Sequence, residues 1–240
     1  MMRSPESIDS HATTVTRLMV AQRYARVAGV MYFFEVFDMT AVVILSRVTS
    51  GANFLDVAQN VAASEMLYRV AMLLSIVGNL STILLAAALY LTLRPVDDGL
   101  ALIAMLFRLV ESTLGLVVVL LGFAALQVYL DGTHAPSSQA GELGRLAELL
   151  SQTSASGIDV SVLCFAVGST LFFYLFWRSA YVPRILAGWG LSGSVVALAA
   201  FSGSLLFPQS SEVLRGIGAV PIGVAEPVVG AWLLIRGIRT

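Results

Sequence analysis

The chain has 240 residues, of which 58% are hydrophobic and only 12% charged, against a charged share of about 25% in soluble domains. That balance, with a mean hydropathy of +0.86, excludes a water-soluble globular protein. A formal net charge of −1 and the lack of any basic tract argue against nucleic acid as a partner.

Residues 1–22 read as a flexible or interfacial tail, and residues 23–240 as a single domain of six transmembrane helices, an all-α membrane bundle. The first apolar run, 28–46, follows an arginine-containing tail as a signal peptide's would. It carries two acids and is too long for a signal peptide's apolar region, so it reads as an uncleaved span. Further runs cover 69–93, 100–127, 159–177, 185–207 and 217–236, each near the roughly 20 residues that cross a bilayer. The links 94–99 and 179–184 are short and make antiparallel neighbours of the spans they join. The connection after the third span is the longest. Within it Leu143, Leu146 and Leu150 share one helical stripe, which fits an interfacial or lid helix and equally a plain surface helix. Residues 151–159 read as loop. Pro221 and Pro227 interrupt the last run.

Arginine placement orients these spans. Arg3, Arg17, Arg23, Arg26, Arg94, Arg178, Arg184, Arg236 and Arg239 fall on one side; Arg47, Arg69, Arg145 and Arg215 fall on the other. The positive-inside rule then puts both termini in the cytoplasm. Tyr90, Tyr174 and Trp232 each precede an arginine by four positions, as aromatic and snorkelling anchors at the headgroup level do.

Five ionisable residues lie inside apolar runs: Glu35, Asp38, Arg108, Glu111 and Glu226. Each costs on the order of 2.5–3.5 kcal/mol at the bilayer centre on insertion scales, so such groups face a protein interior or a wet cavity. At about 1.5 Å per residue, Glu35 and Asp38 lie roughly 10 and 15 Å into the first span. Arg108 and Glu111 lie roughly 12 and 16 Å into the third, Glu226 roughly 13 Å into the sixth and Asn79 roughly 15 Å into the second. All fall near the midplane of a core about 30 Å thick. The spacing predicts a polar pocket formed by spans one, two, three and six. Arg108 and Glu111, at i and i+3, can neutralise each other. The remaining acids have no intramembrane base in sequence, so protonation, water or a bound cation must compensate them. Pro227 removes a helical N–H and frees the Gly223 carbonyl beside Glu226, a small cation or proton site on one reading and a structural kink on the other.

Enzyme signatures are poor. The chain has no lysine, which removes imine chemistry. Cys164 is the only cysteine and permits no intrachain disulfide. His11 and His134 lie in the tail and a loop, so neither a His/Cys metal site nor a cofactor is expected. Gly190-Leu191-Ser192-Gly193 matches the serine motif of rhomboid-type intramembrane proteases, yet no span holds a histidine to activate the serine. Close packing of helices at small residues accounts for that stretch.

Several segments resemble a mostly bacterial membrane family known only as domain of unknown function 4386. They are residues 25–32, 64–69, 89–96 and 107–111, the stretch Trp177-Arg178-Ser179-Ala180-Tyr181-Val182-Pro183-Arg184-Ile185-Leu186, and residues 231–237. Residues 151–159 depart from the aromatic and histidine-containing stretch usual in that family. The resemblance implies a multi-pass protein of the bacterial plasma membrane and supplies no activity. The residues themselves lead to a membrane protein that binds or moves a proton, a cation or a small amine-bearing molecule. Glu35, Asp38, Asn79, Arg108, Glu111 and Glu226 would carry the site, with the lipid bilayer as the surrounding partner. Two alternatives stay open: an accessory or sensor protein whose charges are internal clamps, and an intramembrane enzyme acting on a lipid-like substrate. Oligomeric state is not legible.

Overall fold

A computed structural model describes residues 5–239; the first four residues of the expected tail, Arg3 among them, lie outside the described residues. The helices are α1 (Pro5–Phe34), α2 (Val36–Val48), α3 (Phe54–Ala63), α4 (Glu65–Leu93), α5 (Asp98–Gly132), α6 (Ser137–Ser179), α7 (Arg184–Leu206) and α8 (Ser211–Ile235). Six stretches are long and apolar enough to cross a membrane: Met19–Val48, formed by α1 and α2 together, then α4, α5, Gln139–Ser179 of α6, α7 and α8. With nearly all polar backbone groups paired inside helices, this is one of the two architectures that lipid tolerates.

Local chemistry sets the helix ends. The Asp97 side chain accepts from Leu100 N–H at 3.1 Å and starts α5; Asn53 does the same for Asp56 N–H at 3.0 Å and starts α3. α6 stops at Ala180, whose φ of 55° is left-handed, because Pro183 bars Val182 from continuing the helix. Glu65 pairs with Arg69 at 2.7 Å across the first turn of α4.

Two expectations are corrected. Residues 151–159 are not a loop, and 141–150 are not a separate helix: both belong to α6, which runs unbroken through 43 residues. At about 1.5 Å per residue α6 is roughly 64 Å long, twice the bilayer core, so its first half projects beyond the lipid. There Phe54 of α3 stacks on Tyr129 of α5 with ring centres 6.1 Å apart and packs on Gly144 of α6. The three helices border an open cleft of about 620 Å³. Neither Pro221 nor Pro227 interrupts α8, which is helical through both. Pro227 lies on the exposed face of α8, and in membrane helices freed backbone groups are satisfied by local adjustment.

Consecutive spans pack side by side, and α8 returns to α1, closing a ring of six. The closure is tight. A Cβ added to Gly29 of α1 would lie 2.5 Å from Leu234 N and 2.8 Å from Gly230 O, both in α8. Across the ring, the α5 and α8 backbones do not come within 8 Å of each other, nor do those of α6 and α8. Only side chains can bridge that interval.

Two apolar clusters fill the bundle. The larger is centred toward the end holding the chain termini, with Leu89, Leu93, Phe172, Phe173, Phe176 and Leu233, and reaches past the midplane to Phe201 and Ile222. The smaller, at the far end, draws Val48, Val61, Tyr68, Met72, Val119 and Leu126 from α2, α3, α4 and α5 alone. At the terminal end Gln22 of α1 clasps the tail: its Nε2 donates to Arg236 O at 3.3 Å and its Oε1 accepts from Ile238 N–H at 2.8 Å. Arg239 N–H donates to Tyr181 O at 2.9 Å, and the Arg239 guanidinium lies 4.9 Å above the Trp232 ring. Gln22→Ala is expected to release residues 237–239, raising their hydrogen exchange at least several-fold while the spans stay protected; unchanged exchange there would contradict the clasp.

Candidate functional site

The midplane charges converge on Arg108. Its side chain leaves α5 beside Gly168 of α6, where an added Cβ would lie 3.0 Å from Arg108 Cγ, so glycine makes room for the stem. Its guanidinium lies 4.7 Å from the centre of the Phe165 ring, a cation–π contact that favours a desolvated cation. Arg108 is 1% exposed.

Three carboxylates share that guanidinium. Nη2 donates to Glu35 Oε1 at 2.8 Å. Nη1 lies 3.2 Å from Glu111 Oε2 and 3.9 Å from Glu226 Oε1. Ser169 of α6 links two of these partners, since its Oγ accepts from Arg108 Nη1 at 3.4 Å and donates to Glu226 Oε1 at 3.1 Å. Thus α1/α2, α5, α6 and α8 meet at one point through side chains that span the middle of the ring.

The backbone supports this placement. Glu35 occupies the one-residue break between α1 and α2, where its carbonyl accepts both from Asp38 N–H at 3.2 Å, a three-residue turn, and from Met39 N–H at 3.4 Å, the α-helical four. Ser161 Oγ donates to the Glu111 carbonyl at 2.9 Å and ties α6 to α5 one turn away. Glu226 turns inward and is buried, whereas Gly223 and Pro227 are exposed. The carbonyl freed by Pro227 is therefore on the outer face and not beside the carboxylate.

The remaining candidates form a neighbouring polar layer. Asp38 packs on α4, where an added Cβ on Gly78 would lie 2.9 Å from the Asp38 Cβ. Asn79 Nδ2 donates to Ser75 O at 2.8 Å, its carbonyl accepts from Ser112 Oγ at 2.6 Å, and its side chain faces Gly115 of α5. Neither Asp38 nor Asn79 is bonded to Arg108 among the described residues. Span two thus borders the site, and span four, through Ser169 and Phe165, completes it. Arg108 also does more than neutralise Glu111, because Glu35 and Glu226 are its partners too.

Three carboxylates and one guanidinium sum to −2 when all are ionised, a large excess for a low-dielectric interior. Arg108 Nε is buried and lacks a hydrogen-bond partner among the described residues, and Glu111 Oε2 meets Arg108 Nη1 as an ion pair without hydrogen-bond geometry. One buried guanidinium donor is therefore unused. No trio of His, Cys, Asp or Glu is placed to hold a metal ion among the described residues. Ser192 is exposed and donates to Trp189 O at 3.0 Å, a local helix bond without an activating partner.

A second polar pair was not anticipated from the sequence. At the far end of the bundle Arg215 of α8 grips Asp159 of α6 with two bonds, Nε to Oδ1 at 2.8 Å and Nη2 to Oδ2 at 2.7 Å. Such a fork is the strong form of this contact.

Fold and site together define a multi-pass α-helical membrane protein with an acid-rich ion cluster inside the bundle. The chain belongs to the family described as domain of unknown function DUF4386, which it matches over residues 10–237. No curated protein and no solved structure matches it.

Proposed function

We propose that this protein binds or moves a proton, a cation or a small amine-bearing molecule at the Arg108 cluster, in a bacterial plasma membrane with both termini cytoplasmic. The observation that carries this reading is the acid excess: Glu35, Glu111 and Glu226 converge on a single guanidinium. A bound cation or proton offsets that excess more cheaply than leaving it bare at the midplane. Glu111 Oε2, ion-paired to Arg108 without hydrogen-bond geometry, favours an occupant with hydrogen-bond donors, such as an ammonium group. Asp38, three residues beyond Glu35 and packed against α4, would pass a cation toward or away from the cluster. The arginine bias toward the terminal end supports the orientation.

The test uses purified protein and Glu226→Gln, which keeps the side chain's shape and removes its charge. Thermal stabilisation by a panel of inorganic cations and primary amines, and pH-dye responses in proteoliposomes, are expected to be present in the parent and lost in the variant. Equal responses in both would reject the reading. If the charges only clamp the helices, Glu226→Gln shifts the melting temperature and neither protein responds to any member of the panel. Glycerolipid turnover by the parent would instead favour the enzyme class.

A further inference from the structure

The two halves of the ring are closed by different chemistry. Toward the termini the interior is packed with large apolar side chains, including Phe172, Phe173, Phe176 and Leu233. Toward the far end a second apolar cluster joins α2, α3, α4 and α5, and on the α7–α8 seam Phe201 packs against Gly218. On the opposite side of that half, α6 supplies buried Asp159 and Ser161, and α8 supplies buried Gly218 and, one turn short of Glu226, Ile222. There the α6 and α8 backbones stay more than 8 Å apart, and the Asp159–Arg215 fork spans the interval.

The same two helices are bridged again deeper in the bundle, by Ser169 and Glu226. Asp159 lies roughly 15 Å along α6 from Ser169, and Arg215 roughly 16 Å along α8 from Glu226, so the two bridges are stacked along one interval. Between them Ser161 bonds the Glu111 carbonyl. Polar contacts therefore recur at three depths between the far mouth and the cluster, with the buried Ile222 of α8 among them.

We infer that the far end is the access route to the Arg108 cluster, and that the Asp159–Arg215 pair is the gate that closes it. The inference rests on reading that cluster as a binding site. Asp159 is 2% exposed, while the Arg215 side chain is 38% exposed. The arginine is the partner that can swing into solvent, and its pairing energy is moderated by that exposure. Parting α6 from α8 at this end breaks one ion pair and leaves the Phe201–Gly218 seam of α7 and α8 in place; parting them at the terminal end would require prising apart the Phe172, Phe173 and Phe176 core. Arg215 excludes cations while the pair is closed. An incoming cation that displaces it meets a freed carboxylate of its own charge preference, so the gate selects for the same ligand class as the cluster.

The test measures accessibility, independently of any ligand response. Ser169→Cys in a Cys164→Ser background places one thiol at the cluster, and a membrane-impermeant cationic methanethiosulfonate is added to each face of oriented vesicles in turn. A protease-cleavable C-terminal tag reports which face is which. The expected result is slow labelling from the far face that rises roughly tenfold in Asp159→Asn/Arg215→Gln, with no labelling from the terminal face. The exchanged pair Asp159→Arg/Arg215→Asp should restore slow labelling, which loss of folding cannot do. Labelling from the terminal face, or an unchanged rate in the neutral double variant with a normal melting temperature, overturns the gate. Labelling that follows the expected pattern while Glu226→Gln leaves ligand responses intact would uphold the route and reject the binding reading.

Discussion

Arg108→Leu is expected to be the most damaging single change in the molecule. It leaves Glu35, Glu111 and Glu226 facing one another in the bundle interior with no cation. Removing one partner of a buried ion pair costs about 3–5 kcal/mol, a large part of the roughly 5–15 kcal/mol that holds a typical protein folded. Fluorescence-detected size exclusion should show loss of the monodisperse peak, and any surviving fraction should melt far below the parent. Arg108→Lys keeps the charge and loses the fork that reaches Glu35 and Glu111 together, so an intermediate loss is expected. Adding Glu35→Gln, Glu111→Gln and Glu226→Gln to Arg108→Leu should recover most of the stability, because removing both sides of a buried pair is far less costly than removing one. A parent-like melting curve for Arg108→Leu alone would show that the cluster is not what joins these helices.

Gly29→Val should do comparable harm by a different route. The atoms an added Cβ would meet, Leu234 N and Gly230 O, belong to the backbone of α8 and cannot rotate aside. Overpacking costs about 1–3 kcal/mol where a core can yield. Here the contact is the seam at which the ring closes, and α1 and α8 must separate along their length. Gly188→Ala is the matched control: an added Cβ there meets nothing within 4 Å, and a change within about 0.5 kcal/mol is expected. Thermal melting of both variants in the same detergent checks the pair. Equal stability of the two would contradict the close approach of α1 and α8.

The spans and most of the cluster were legible because a charge in a long apolar run has few explanations, and depth follows from counting residues. Glu35, Arg108, Glu111 and Glu226 were found that way and do meet. Ser169 and Phe165 were not, since a serine and a phenylalanine are ordinary in a membrane helix and only the fold brings them to Arg108. Asp159 and Arg215 escaped for a related reason. Each lies near the end of its apolar run, where charges are expected, and a single sequence does not give the register between α6 and α8. Residues 151–159 misled through composition: Ser, Thr and Gly are frequent in loops, but a helix already started at Ser137 extends through them at small cost per residue. Asp38 and Asn79 share the cluster's depth without joining it, because depth fixes one coordinate and leaves the rotation about each helix axis free.

Ring closure by the first and last helices has a consequence for biosynthesis. Glu35 emerges first and meets its cation only when Arg108 has been made, 73 residues later. Arg108 and Ser169 then wait for Glu226, which arrives with the final helix. Until α8 inserts, α1 exposes Gly29 and Tyr32 along a seam with no partner, and the midplane arginine has two acids in place of three. A chain stalled or cut before α8 therefore keeps this flank of α1 open and its midplane cluster incomplete.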